Sequence, residues 1–269
     1  TVSEPDEYVS SYVITSINNS FGVSCNGSTD GSIDITVDGG TSPHSYLWST
    51  GATTQDLDSI GAGTYVITAT DTNGCQTTQT VIITEPDSLL STYTTSASAN
   101  DWNGYDIQCN GDDNGEITMD VTGGIDSLAY TYDIDGASNG SNIFSSLVEG
   151  TYVITATDAN GCHTTQTVDM IAPDSSVVLT YTQSNYNGVG VSCHGDTDGF
   201  INTFVEGGVL DYSFLWSTST GDTTPSIDSI GFGSYTVTVT DANGCVDSET
   251  ITVSEPDEYV SSYVITSIN

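Results

Sequence analysis

The six cysteines have the clearest capacity for covalent chemistry. They fall into three pairs, Cys25 with Cys75, Cys109 with Cys162 and Cys193 with Cys245, 50, 53 and 52 residues apart. An even count at regular spacing in an acidic chain of extracellular character reads as a disulfide framework, one bridge closed within each pair. In the chain-entropy picture a loop of about 50 residues contributes roughly 3–4 kcal/mol. Zinc, the rival use of cysteine, needs Cys and His ligands clustered at short spacing, and the sequence has no such cluster.

Oxygen side chains offer a second candidate chemistry. Ser28-Thr29-Asp30-Gly31, Asp112-Asp113-Asn114-Gly115 and Asp196-Thr197-Asp198-Gly199 place oxygens at alternate positions before a glycine, like half of a calcium loop, without the bidentate Glu that completes one. Asp112, Asn114, Asp196 and Asp198 are the candidate ligands, and calcium is the one cofactor they would take. Asp and Asn before Gly also form plain turns, and that reading stands beside the metal. His44, His163 and His194 occupy different repeat positions, so they define no shared site. No Ser-His-Asp grouping stands out and the carboxylates are scattered, so no enzyme is expected.

Charge narrows the partners. The 269 residues contain no Lys or Arg against 36 Asp plus Glu, a formal charge of −36. Ordinary salt bridges are therefore ruled out, and stability must come from burial, backbone ladders and covalent links. Nucleic acid and anionic membrane faces, which need cations to neutralise phosphate, are excluded as partners. No stretch approaches the roughly 18 apolar residues of a membrane span, so membrane insertion is not expected. A secretion leader and any anchor are expected outside this segment.

These residues are positioned by a repeat. Gly39-Gly40, Gly123-Gly124 and Gly207-Gly208 recur at intervals of 84, as do Cys25, Cys109 and Cys193 and the aromatic trio Trp48, Tyr132 and Trp216. Asp-x-Asn-Gly-Cys ends at Cys75, Cys162 and Cys245. A longer period encloses these units, because residues 1–18 return letter for letter as 252–269, an offset of 251. Prolines 5, 86, 173 and 256 mark the boundaries, since Pro cannot donate to a ladder. The expected divisions are 1–5 as the end of a preceding repeat, units at 6–86, 87–173 and 174–256, and 257–269 as the first strand of a following copy. No flexible spacer separates the units, so neighbours should abut.

Within a unit the pattern is β throughout. Ser32–Val37 alternates Ile33, Ile35 and Val37 with polar residues, and Gly63–Thr70 is aromatic and β-branched before the hairpin dipeptide Asn73-Gly74. Tyr8–Ile17, Phe21–Cys25, Ser32–Val37, Ser45–Ser49, Gln55–Ile60, Gly63–Thr70 and Gln76–Thr84 give seven strands. The fold class is all-β: tandem immunoglobulin-like β-sandwiches arranged end to end as a rod. Trp48, Tyr132, Trp216, Tyr65, Tyr152 and Tyr235 are the expected core aromatics.

Cys-x-Gly-x-x-Asp/Asn-Gly, then Gly-Gly, then Tyr-x-Trp-Ser, then Gly-x-Tyr-x-Ile/Val-Thr-x-Thr-Asp-x-Asn-Gly-Cys together resemble the SprB repeat of giant surface adhesins in gliding Bacteroidetes. The second unit departs from the pattern in Tyr132 and in the insert Gly136–Ser145. The resemblance implies type IX export, an extracellular filament on the cell surface, and adhesion to surfaces during gliding. Its implied partners are further copies of the repeat in the same chain and an external surface or glycan. Asp-Ser-hydrophobic triplets at Ser59, Ser88, Ser127 and Ser229 resemble the O-glycan acceptor pattern of the same bacteria. The alternatives are a calcium- or glycan-binding adhesive module and a laterally tiling surface-layer protein.

Overall fold

The computed structural model describes residues 6–97, 102–125 and 130–264. Among them are nineteen strands in six sheets. The first repeat supplies β1 (Val9–Ile14), β2 (Gly31–Asp38), β3 (Ser45–Trp48), β4 (Leu57–Ile60), β5 (Gly63–Thr70) and β6 (Gln76–Ile83). The second supplies β7 (Asp87–Thr95), β8 (Gly115–Gly124), β9 (Thr131–Ile134), β10 (Ala137–Asn139), β11 (Ile143–Leu147), β12 (Gly150–Thr157) and β13 (His163–Met170). The third supplies β14 (Val178–Gln183), β15 (Gly199–Glu206), β16 (Ser213–Trp216), β17 (Ser226–Ile230), β18 (Gly233–Thr240) and β19 (Val246–Val253).

The chain forms two compact units, one of Thr1–Thr94, Thr118–Phe144 and Tyr152–Val168, the other of Thr95–Ile117, Ser145–Thr151 and Asp169–Asn269. In the first unit one sheet runs β1-β2-β4 and the other β3-β5-β6, all antiparallel. Taking β1 to β6 as strands A, B, C, E, F and G, this is the A-B-E and C-F-G order of an immunoglobulin-like sandwich without strand D. In β2, Ile33 and Ile35 are buried while Asp34 and Thr36 are exposed, the alternation of a strand with one face on a core. The facing sheet adds Trp48, Ile67, Val81 and Ile83 to the same cluster. In the second unit, β14-β15-β17 and β16-β18-β19 repeat the order around Ile201, Trp216, Val237, Val239, Ile251 and Val253.

Two further marks of the fold are present. Trp48 and Trp216 lie on the third strand of their sandwiches, 2% exposed, each giving its indole N–H to a backbone carbonyl, Thr54 or Thr224, at 2.9 Å. Tyr65 and Tyr235, at the start of the F-type strand, are half-buried and donate their hydroxyls to Gly61 and Gly231 carbonyls at 2.9 and 3.0 Å, the corner that ties strands E and F. Tyr152 and Tyr132 are half-buried, and Tyr132 stands edge-on to Tyr130 with ring centroids 6.5 Å apart. The insert of the second repeat folds as a hairpin: Asp135 and Gly136 take positive φ, and β10 joins the edge of β10-β9-β12-β13.

The structure departs from expectation at two strands. Phe21–Cys25 is not a strand. Asn19 and Ser20 turn the chain at φ 47° and 79°, and the segment passes the end of β6 with the Gly22 amide on the Thr84 carbonyl while Val23 plugs the core. Six strands close the first sandwich, not seven. Of residues 257–269, which repeat the words of β1 and are expected as the first strand of a following copy, 257–264 form no strand and 265–269 lie outside the described residues. In the first repeat the same words pair with β2, whereas Tyr259, Tyr263 and Val264 are 95, 86 and 88% exposed and no described strand offers them a ladder. An edge strand of this composition forms only where a neighbour supplies its hydrogen bonds.

Candidate functional site

The cysteines are joined across repeats, not within them. Cys25 bonds Cys162 and Cys109 bonds Cys245, each with Cα atoms 5.7 Å apart, over 137 and 136 residues; Cys75 and Cys193 are free and exposed. The expected pairs Cys25–Cys75, Cys109–Cys162 and Cys193–Cys245 are not made. The cause is the direction of the strands. Cys25 precedes β2, in a loop beside the corner between β4 and β5, where a Cβ on Gly61 would lie 3.5 Å from the Ser28 carbonyl. Cys75 follows β5, beyond its other end. Eight residues of strand separate the two by about 26 Å, and a disulfide requires Cα atoms within about 7 Å.

Each link sits in a polar joint of the same design. In the first unit the Asn160 side chain gives its N–H to the Ser24 carbonyl at 2.9 Å and accepts one from Asn19 at 2.6 Å. Asn26 donates to the Pro86 carbonyl at 3.0 Å and accepts the Ser88 hydroxyl at 2.9 Å. In the second unit Asn243 donates to the Gln108 carbonyl at 3.0 Å and accepts from Asn103 at 2.7 Å, while Asn110 donates to the Pro173 carbonyl at 2.8 Å. The loop that leads into the first cysteine of one repeat thus receives the Asn-Gly-Cys hairpin of the next.

The hairpin is held by a carboxylate the sequence reading passed over. Asp158 Oδ1 accepts the amides of Asn160 and Cys162, both at 2.9 Å, and Oδ2 accepts that of Ile125 at 2.9 Å. Asp241 does the same for Asn243, Cys245 and Val209, and Asp71 for Cys75 and Thr41. These carboxylates are buried, 5 to 6% exposed. Burial pushes Asp71 up, but the amides of Cys75, Thr41, Asn73 and Gly74 outweigh it and hold the group below the usual carboxylate range. The paired glycines let the adjoining loop fold over this acid. Gly208 has φ 64°, and a Cβ there would stand 2.6 Å from Asp241 Oδ2. The recurring Asp of Asp-x-Asn-Gly-Cys was the available signal.

The candidate calcium residues brace their own loops. Asn114 Oδ1 accepts the Gln108 amide at 3.1 Å, Asp198 Oδ1 the Ser192 amide at 3.0 Å, and Asp30 Oδ1 the Ser24 amide at 3.1 Å. Asp112 accepts from the Asn114 side chain at 3.2 Å and Asp196 from the Ser192 hydroxyl at 2.9 Å. Bonds from Ser24, side chain and then backbone, lower the Asp30 pKa; the Ser192 amide and hydroxyl lower that of Asp198. Among the described residues no three His, Cys, Asp or Glu are grouped to hold a metal.

Ser59 and Ser229 are exposed in left-handed conformation, φ 57° and 56°, beside the bulges that pair β2 with β4 and β15 with β17. Ser88 is exposed beside the first joint, and Ser127 lies outside the described residues. His163 and His194 are exposed; His44 is half-buried, 5.4 Å from the Tyr8 ring.

Two stretches of the chain, residues 22–53 and 105–139, match the SprB repeat. The second stretch includes Tyr132, so the change from Trp does not remove the second SprB match. No curated protein matches the chain. Among solved structures, extracellular domains 3–5 of Drosophila OTK are 11% identical, with 81% of this chain and 87% of that chain covered at a TM-score of 0.29. The eight N-terminal immunoglobulin domains of the Down syndrome cell adhesion molecule are 11% identical, with 93% and 40% covered at 0.37. A tetra-tandem repeat from the extending region of a large adhesion protein is 15% identical, with 93% and 75% covered at 0.28. The fold assignment stands on the strand order.

Proposed function

We propose that this chain is a non-catalytic structural segment of a long extracellular filament or adhesin stalk on a bacterial surface. In this reading residues 6–86, 87–173 and 174–256 are domains set end to end as a rod, exported by the type IX route, and the filament serves adhesion during gliding. Its partners are further repeats of the same chain and an external surface or glycan beyond this segment. The SprB match supports the assignment, and disulfides suit an oxidising exterior.

The observation that carries the mechanical reading is the overlap of the two disulfide loops. Cys109 lies inside the loop closed by Cys25–Cys162, so every residue from Cys25 to Cys245 is spanned by at least one bridge. A chain pulled from its ends can shorten its covalent route by crossing from Cys25 to Cys162, returning to Cys109 and crossing to Cys245. That leaves roughly 100 residues under tension, or about 370 Å at full extension, against roughly 970 Å for the reduced chain. The charge of −36 would hold neighbouring filaments apart.

Pulling single molecules by their termini tests this. The oxidised chain is expected to stop near the shorter limit and to reach the longer one after reduction. Full extension without reductant, or images of the parent protein as globules or sheets, would refute the stalk.

A further inference from the structure

The third repeat carries the same receiving loop, and its cysteine, Cys193, is a free thiol. Asn187 stands six residues before Cys193 with φ 54°, matching Asn19 and Asn103 at 47° and 51°, the residues that grip the incoming Asn in the two filled joints. Asp198 braces Ser192 as Asp30 braces Ser24. The Gly195 amide is on Glu255 at 2.8 Å, as the Gly27 amide is on Glu85 at 2.7 Å. His194 meets the Pro256 carbonyl at 3.3 Å, where Asn26 and Asn110 meet Pro86 and Pro173. Cys193 is exposed and thiol, beside an open groove lined by Ser192, His194, Pro256, Asp257 and Tyr259. The first repeat carries the complementary part. Gly74 has φ 88° against 87° for Gly161 and Gly244, the Cys75 amide is fixed on Asp71 at 2.8 Å, and Cys75 is exposed and thiol. The Asn73 side chain donates to the exposed Thr41 hydroxyl at 3.0 Å.

We propose that the Cys193 loop is a docking site for the Asn-Gly-Cys hairpin of a further repeat of this kind, sealed by a disulfide equivalent to Cys25–Cys162 and Cys109–Cys245. The super-repeat supplies the occupant in register. A counterpart of Cys75 displaced by the 251-residue offset lies 133 residues beyond Cys193, against separations of 137 and 136 in the formed links. Both halves hold their bonded shape while apart, so docking asks little reorganisation of either. In the sealing step the two thiols each lose a proton. Their two electrons pass by thiol–disulfide exchange to a disulfide oxidant, which leaves as two thiols. Repeated along a chain, the links overlap without a gap: Cys193 falls within the Cys109–Cys245 loop just as Cys109 falls within the first. This holds whether or not the filament is adhesive.

The test uses two variants of the 269-residue chain. C75S keeps only the receiving thiol and C193S only the hairpin thiol; both positions are exposed, so both variants are expected to fold. In a glutathione redox buffer the equimolar mixture should form a disulfide heterodimer at least tenfold faster than either variant forms a homodimer. Peptide mapping with an acid-residue-specific protease should show Cys193 joined to Cys75. Adding N187A to the C75S chain should remove most of the rate advantage while leaving thiol reactivity toward a small reagent unchanged. Equal rates for heterodimer and homodimers would mean two unrelated exposed thiols and overturn the proposal. A second measurement joins residues 1–251 in register to a full copy. Cys193 of the first copy should be bonded to Cys75 of the second; a free thiol there, or a bond within one copy, also overturns it.

Discussion

Asn243 and Gln108 hold each other reciprocally across 135 residues: the Asn243 side chain donates to the Gln108 carbonyl at 3.0 Å, and the Gln108 side chain donates to the Asn243 carbonyl at 2.8 Å. The Cys109–Cys245 bond lies next to this pair, so the joint combines a covalent link with a polar lock. The two contributions differ in kind. The lock acts in the folded state, whereas the disulfide mainly restricts the unfolded one.

N243A is therefore expected to cost about 1–3 kcal/mol, since Asn243 is buried and its partners lose their hydrogen bonds. C109S with C245S should cost more, about 4–5 kcal/mol for a loop of this length in the chain-entropy model. Denaturant melts of the two variants and the double combination measure both. A disulfide variant as stable as the parent would show that strain cancels the entropy. Thiol titration of the unfolded parent should find two reactive groups, Cys75 and Cys193.

The buried acid under the paired glycines gives a second expectation. G208A places a methyl against Val177 Cγ2 at 2.5 Å and Asp241 Oδ2 at 2.6 Å, in a backbone region that L residues avoid, and should cost about 1–3 kcal/mol or more. D241A removes the acceptor for the amides of Asn243, Cys245 and Val209, and each amide left buried and unpaired costs about 1–3 kcal/mol. Calorimetry on the two variants should therefore show D241A losing at least as much as G208A. A neutral D241A would mean that water replaces the carboxylate.

Much of this architecture can be read from residue pattern alone. Ile33 and Ile35 point inward as their alternation requires, Asn73-Gly74 turns a hairpin, and Trp48 anchors the core. The cysteine partners cannot be read from spacing, because a constant interval within a repeat is also a constant interval between repeats. The strand order resolves the ambiguity: β2 and β5 start at the same end of the sandwich, so a cysteine before one and a cysteine after the other sit at opposite ends. Asp71, Asp158 and Asp241 look like turn formers in sequence. Their burial arises only when the Gly-Gly loop, distant in the chain, closes over them. Phe21–Cys25 has strand composition, but the turn at Asn19 and Ser20 brings it in across the end of β6, so close that a Cβ on Gly22 would stand 2.8 Å from Ile83.

Acid should weaken the fold through the loop carboxylates. Asp30 and Asp198 have pKa values lowered by Ser24 and Ser192, and that of Asp222 is lowered by the Thr218 and Thr220 hydroxyls. A group with a lowered folded pKa binds its proton first in the unfolded chain. Its stabilisation is present above the ordinary carboxylate range near pH 4 and is lost as pH falls through the folded value. Protonating the remaining acids relieves repulsion and acts in the opposite sense, so the comparison must be between variants. D30N and D198N retain an oxygen acceptor, as Asn114 shows by accepting the Gln108 amide. Both should be less stable than the parent at pH 7 and lose stability less steeply between about pH 5 and pH 2, so that variant and parent converge in acid. Parallel melting curves for variant and parent would remove these acids from the account.

Salt and calcium separate a braced loop from a metal site. With 36 acids and no Lys or Arg, the folded chain is stabilised by any electrolyte that screens its repulsion, over a distance of about 10 Å at 0.1 M. The melting temperature should rise with sodium chloride. The oxygens of Asn114 and Asp198 already accept the amides of Gln108 and Ser192, and Asp112 and Asp196 accept from side chains of the same loops. Calcium should therefore add no saturable step beyond sodium at equal ionic strength, since a specific site would raise stability as RT ln(1 + [L]/Kd). A calcium-dependent rise that saturates in the micromolar range and disappears in D196N with D198N would make these loops ligands instead.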